Sequence, residues 1–211
     1  MIISQQHKFI FAAIPKTGTH AVRRALREHM GPQDQEQVGL FVQKRFSVDA
    51  LAAIGHGHVS LAEVRPHLAP DVFASYFKFA FVRNPFDRFV SFCAFATRQD
   101  GAFERDAASV MRHFLANPPT HQVLFRPQFT FIADEAGVLL TDAVGRVEEM
   151  QHSYDAICQR IGIPSAQLER VNASRRDTYQ GYYDRALIDG VTRLYQRDLE
   201  LFGYTFDGRA A

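Results

Sequence analysis

Apolar and polar positions along this chain fall into blocks whose period switches between two and about 3.6. Phe9 to Ile14 is an unbroken apolar run, too short for a helix and typical of a strand covered on both faces, so a strand is predicted from about Lys8 to Ile14. A polar turn, Pro15 to His20, follows. Val22, Leu26 and Met30 then recur at every fourth position, the stripe of a helix predicted over Thr19 to Met30 and stopped by Gly31-Pro32. Gln33 to Ala53 shows no clear period and stays unassigned. Tyr76 to Val82 is a β-favouring run that reads as a buried central strand; Arg83-Asn84-Pro85 ends it, with proline at the first position of a helix carrying Phe89, Val90 and Phe92. Further helices are predicted over Phe103 to Leu115, Glu148 to Ile161 with Gly162 as its stop, and Asp184 to Phe202. More strand is expected at Val138-Leu139-Leu140 and Val144. The alternating order predicts an α/β fold: one domain over residues 1–211, with a central, mostly parallel sheet flanked by helices.

Composition narrows the class. The chain has 211 residues, enough for one well-buried core and short for two independent domains. Apolar residues make up 46% and charged residues 22%, ordinary globular values, and nineteen phenylalanines without a tryptophan point to an aromatic core. A net charge of +1 argues against a general nucleic-acid surface, so any basic patch is local. Cys93 and Cys158 are too few for a disulfide framework and are not spaced as metal ligands, which fits a reducing compartment. No basic segment precedes an apolar leader core, and no run approaches the roughly 20 apolar residues of a membrane span. The expectation is a soluble cytoplasmic protein.

Three segments carry chemistry. The first is the P-loop-like strand, loop and helix around Pro15-Lys16-Thr17-Gly18-Thr19-His20. The first N–H groups of a helix lack intrahelical partners and sit at the positive end of its dipole, so an anion is well met there. Lys16 adds a charge, Thr17 and Thr19 add hydroxyls, and Gly18 lets the backbone approach a ligand. The spacing is not that of a nucleoside-triphosphate loop, because Lys16 precedes the glycine and Ala13 stands where the first glycine is needed. The second segment holds Arg83, at the end of the central strand, and Ser91, two turns into the next helix; a guanidinium fork and a hydroxyl suit a phosphate. Alone, Arg83 reads equally as a strand-end ion pair, and Arg88 as a helix-surface charge. The third is Gly55-His56-Gly57-His58, whose two histidines share a side if the chain is extended. Zinc would need further ligands, and none form a clear set, whereas a neutral imidazole can serve as a general base.

Together these segments resemble the sulfotransferases that use 3′-phosphoadenosine 5′-phosphosulfate (PAPS), in particular the carbohydrate O-sulfotransferase branch. Pro15 to Thr19 is similar to that family's 5′-phosphosulfate loop, and Val82 to Ser91 to its 3′-phosphate segment. His56-Gly57-His58-Val59-Ser60 looks like the uronosyl 2-O-sulfotransferase segment that carries the catalytic histidine, with His58 at the base position. Arg126-Pro127-Gln128, Arg146-Val147-Glu148 and Tyr182-Tyr183-Asp184 through Phe206 extend the likeness, and Asn172 to Tyr179 looks like the late basic loop that closes over the nucleotide, with Arg175 and Arg176. The loop departs from the family at His20, where a small hydroxyl residue is usual.

The resemblance implies in-line transfer of a sulfuryl group from PAPS to an acceptor hydroxyl, a saccharide or other small hydroxyl compound. His58 would be the base, His56 would orient it or the acceptor, and Lys16 would stabilise the leaving oxygen. Thr17, Gly18, Thr19 and His20 would hold the 5′ end with Lys16; Arg83 and Ser91 would hold the 3′-phosphate of PAPS or its product PAP, with Arg175 and Arg176 above. No metal, nucleic acid or membrane span enters this scheme. Two rivals stand beside it: a P-loop-type kinase acting with ATP and magnesium on a small molecule, and a nucleotide-binding module without catalysis. The kinase fits the fold but not the loop spacing, and Arg83 stands where a magnesium-binding acid is expected.

Overall fold

Phe9 and Phe11, and in the neighbouring strand Phe77, Phe79 and Phe81, alternate with smaller residues, and the two-residue period brings the rings to one face of a sheet. In a computed structural model describing residues 1–39, 44–169 and 178–209, the elements run β1 (Ile2–Ser4), β2 (Phe9–Ala12), α1 (Thr19–Arg27), β3 (Gln35–Glu36), α2 (Asp49–Ala52), α3 (Leu61–Val64), α4 (Pro70–Ser75) and β4 (Phe77–Val82). They continue with α5 (Pro85–Ala96), α6 (Ala102–Arg105), α7 (Ala107–Ala116), β5 (Ala143–Arg146), α8 (Met150–Ile161), α9 (Arg185–Leu194), α10 (Gln196–Phe202), β6 (Tyr204–Thr205) and β7 (Gly208–Arg209).

The described residues divide into two compact units, one within Met1–Val82 and Gln128–Val171, the other within Arg83–Pro127 and Asn172–Ala211. The first contains the sheet, in the order β3-β1-β2-β4-β5. β2, β4 and β5 are parallel neighbours, and β1 runs antiparallel to both β2 and β3, so the sheet is mixed. The reversal comes from the tight connection at Gln5–Lys8, where the Asp34 carboxylate accepts from the N–H groups of Gln5 and Gln6 and from the Ser4 hydroxyl. The aromatic face of β2 and β4 packs with Val22, Ala25 and Leu26 of α1 and with Tyr154, Ile157, Cys158 and Ile161 of α8. Gly162, at φ 71°, ends α8 in the left-handed conformation that glycine adopts without penalty. The second unit has its own core of Phe86, Phe89, Phe92, Phe103, Met111, Phe125, Leu187 and Val191. Asn84 caps α5 by accepting from Phe86 N–H, while its amide donates to Thr205 O (2.9 Å) and the Tyr179 hydroxyl (3.1 Å). Cys93 and Cys158 are buried free thiols.

Several boundaries differ from the sequence reading. β1 was not anticipated, since three residues carry too little periodicity to register. α1 stops at Arg27 instead of Met30, because His29 and Met30 turn back to Leu26 and Arg27 carbonyls in tighter three-residue steps. The helix predicted over Phe103 to Leu115 is broken at Asp106, whose side chain accepts from Ser109 N–H and starts a new helix. The last helix is likewise broken at Tyr195, a buried ring whose hydroxyl donates to Phe125 O (2.9 Å). Val138 is exposed and Leu139 forms a lone bridge with Ala133, so only the Val144 part of the expected strand exists.

Candidate functional site

The loop after β2 is shaped by two left-handed residues, Lys16 at φ 66° and Gly18 at φ 70°. Left-handed residues in such a turn direct successive N–H groups to one side, as in anion-binding nests. Gly18 is the N-cap of α1 and offers no side chain, and the first turn of α1 contributes no acidic residue of its own to oppose an anion at the positive end of the dipole. The Thr17 hydroxyl donates to Ile14 O (2.9 Å) and thus closes the loop from within; Thr17 and Thr19 are both buried. Gly18 could not be replaced cheaply, because its backbone conformation is one that L residues disfavour; the Met150 Cε that a Cβ would meet at 2.6 Å is the far end of a flexible side chain at the start of α8 and can move aside. His20 is exposed at the first turn, and its pKa is lowered by partial burial, then by the charges of Arg23, Lys16 and Arg27. The three smaller, coulombic contributions come from cations around the loop, and the donor set fits a phosphosulfate.

The histidine segment lies in the same unit. His58 Nδ1 is 2.7 Å from the carbonyl of Ala13, two residues before Pro15, so this nitrogen carries the proton and Nε2 keeps its lone pair. Its pKa is pulled down to about 3, by burial first, with the Arg23, amino-terminal and His56 charges adding to the drop and the Ala13 bond opposing it. His56 Nδ1 accepts from the His58 main-chain N–H at 3.3 Å, and the two rings are 6.2 Å apart. Ser60, at the end of the motif, has a structural duty: it forms a reciprocal capping box with Glu63 at the head of α3.

Two residues of this arrangement, Gln37 and Arg23, carried no functional signal in the sequence. Gln37, buried, donates to Leu51 O and His56 O and accepts from Phe46 N–H. Arg23, also buried, donates to Gly57 O. At Gly57 a Cβ would lie 2.2 Å from Gln37 O and 2.9 Å from Val38 Cα, both main-chain atoms that cannot swing away. The glycine between the histidines is therefore required by close backbone approach. Gly57→Ala is expected to cost about 1–3 kcal/mol of stability, as overpacking does, which urea unfolding of the purified variant would measure.

In the second unit, Arg83 is held by Asp87: Nε is 2.7 Å and Nη2 2.6 Å from its two carboxylate oxygens. Ser91 is 9% exposed on α5. Arg88 corrects the surface reading: it is 2% exposed, donates to Leu124 O and Arg126 O, and its guanidinium lies over the Tyr195 ring. Arg112 pairs with Asp184, and Arg98 and Arg105 bond to main-chain oxygens. Arg175 and Arg176 lie outside the described residues. Among the described residues no group of three His, Cys, Asp or Glu side chains could hold a metal, and no helix is long and apolar enough to cross a membrane.

A family model described as "Sulfotransferase family" matches residues 1–205 and so runs through both units. No curated protein and no solved structure matches the chain.

Proposed function

The chain belongs to the sulfotransferase family, and we propose that it moves the sulfuryl group of PAPS to the hydroxyl of a saccharide or other small acceptor, with His58 as base. Bound PAPS would supply an activated sulfuryl group and leave as PAP. Lys16 would meet the charge that grows on the leaving oxygen, and the N–H groups of the loop through His20, with Thr17, Gly18 and Thr19, would hold the 5′ end. His58 Nε2 would take the acceptor proton, and His56 would fix the main chain of the base. Arg83 and Ser91 would hold the 3′-phosphate, with Arg175 and Arg176 in the late loop. Asp87 then has the role of orienting the Arg83 fork. The compartment that fits this reading is the cytoplasm.

What supports the reading most is the His58 to Ala13 bond: it fixes the base tautomer from the strand that leads directly into the anion loop. A nucleotide comparison tests it. PAP should raise the melting temperature and ATP with magnesium should not; the reverse would favour the kinase. A screen of hydroxyl acceptors with labelled PAPS, read as a mass gain of one sulfuryl group, should identify the acceptor class, and turnover should persist in chelator. Arg83→Met is expected to weaken PAP by about 1.5–3 kcal/mol in calorimetry, the worth of a charge-assisted contact. Unchanged affinity would remove Arg83 from the site.

A further inference from the structure

Arg23 is an expensive side chain in an unexpected place. It is 3% exposed on α1, its Nη2 donates to Gly57 O at 2.7 Å and Gln37 O at 3.4 Å, and its Nε has no hydrogen-bond partner. The nearby carboxylate, Glu36, is engaged by Arg27 (2.8 Å) and Lys44 (3.0 Å). A buried cation held by carbonyls is costlier than an apolar side chain of the same length. Burial accordingly lowers its pKa to about 10, with Arg27 lowering and Glu36 raising it.

The neighbours explain what the charge does. Gly57 O, its nearer acceptor, belongs to the peptide unit that joins Gly57 to His58, and α1 opens at the anion loop. We propose that Arg23 is a positioning residue: its guanidinium ties the segment carrying the base to the helix that starts at the anion loop, so that base and loop move as one piece. This inference rests on the reading of His58 as base. Four contacts lock that piece: Arg23 of α1 and the Met1 amino group both donate to Gly57 O, Gln37 donates to His56 O, and His58 donates to Ala13 O, just past the end of β2. The charged or titratable groups facing His58 are Arg23, the Met1 amino group and His56, so Arg23 also disfavours protonation of the base.

Arg23→Met keeps the stem and removes fork and charge; Arg23→Lys keeps the charge and removes the fork. In the Met variant kcat should fall about 10–100-fold, the cost of a base displaced by about an ångström, with PAP affinity unchanged. The His58 ring resonances should titrate higher than in the parent, since one of the charges that oppose its protonation is gone. In the Lys variant the His58 titration should stay at the parental value while kcat remains depressed about 10-fold. Parental kcat in either variant, or an unmoved His58 titration in the Met variant, overturns the proposal. If the Met variant fails to fold, the Lys variant alone decides. Should His58→Ala retain turnover, the base assignment fails; the effect of Arg23 on the His58 titration is read by NMR without turnover and stands or falls separately.

Discussion

Replacing His58 with alanine is expected to lower kcat by about 10²–10⁴-fold, the range for loss of a positioned proton acceptor, with PAP affinity unchanged. The expectation follows from the tautomer. With Nδ1–H committed to Ala13 O, the lone pair on Nε2 can receive a proton without any rearrangement of the ring. A folded-state pKa of about 3, set mainly by burial, keeps the imidazole unprotonated across the physiological range. The acid limb of kcat/KM between pH 5 and 7 should therefore not report His58 in the free enzyme, as it would for an unperturbed histidine. The same shift has a stability consequence. From pH 6.5, the ordinary value, down to about 3, the unfolded chain binds a proton that the folded chain refuses. The contribution of His58 is thus fully present above pH 6.5 and is lost as pH falls toward 3. Melting temperatures of parent and His58→Ala, taken against pH, should converge on the acid side and diverge toward neutrality. Loss of PAP binding in the variant would overturn the division of labour between base and loop.

Lys16→Met should remove about 10²–10³ of kcat, comparable to loss of one donor aimed at a developing oxyanion. The substitution keeps the methylene stem and the left-handed backbone demand, so it isolates the ammonium charge. PAP should bind more weakly as well, by about 1.5–3 kcal/mol for the lost charge-assisted contact. An activity-independent readout accompanies the kinetics. Lys16 is one of the charges that lower the His20 pKa, so His20 should titrate nearer its ordinary 6.5 in the variant. Parental kcat with an unmoved His20 would place the ammonium away from the loop's anion face and end its proposed role.

The elements that carry the proposed chemistry were legible because each is encoded by contiguous residues. The apolar run into Pro15 predicted β2 and its loop; Arg83-Asn84-Pro85 predicted the end of β4 and the start of α5, with Asn84 found as cap and Pro85 as first helical residue. Helix breaks were less legible. Asp106 sits inside a stripe of apolar residues that satisfies one long helix as well as two short ones, and only its side-chain bond to Ser109 N–H distinguishes them. Tyr195 breaks the last helix for a reason about seventy positions away, the Phe125 carbonyl its hydroxyl reaches. Arg88 carried the signature of a surface charge, since a sequence gives no sign that two main-chain carbonyls await it at Leu124 and Arg126.

The sequence by itself determined the strand-loop-helix that presents Lys16, the histidine pair, and an alternating α/β order, because hydrophobic period, turn chemistry and helix signals act over a few neighbouring residues. Only the tertiary structure decided that β1 runs against its neighbours, that His58 leans on the carbonyl of Ala13, that Arg83 is forked by Asp87, and that Arg23 is buried against Gly57. Most of these are pairings of single donors with single acceptors far apart in the chain, which leave no period in the sequence. They are fixed when desolvation makes an unmade hydrogen bond costly.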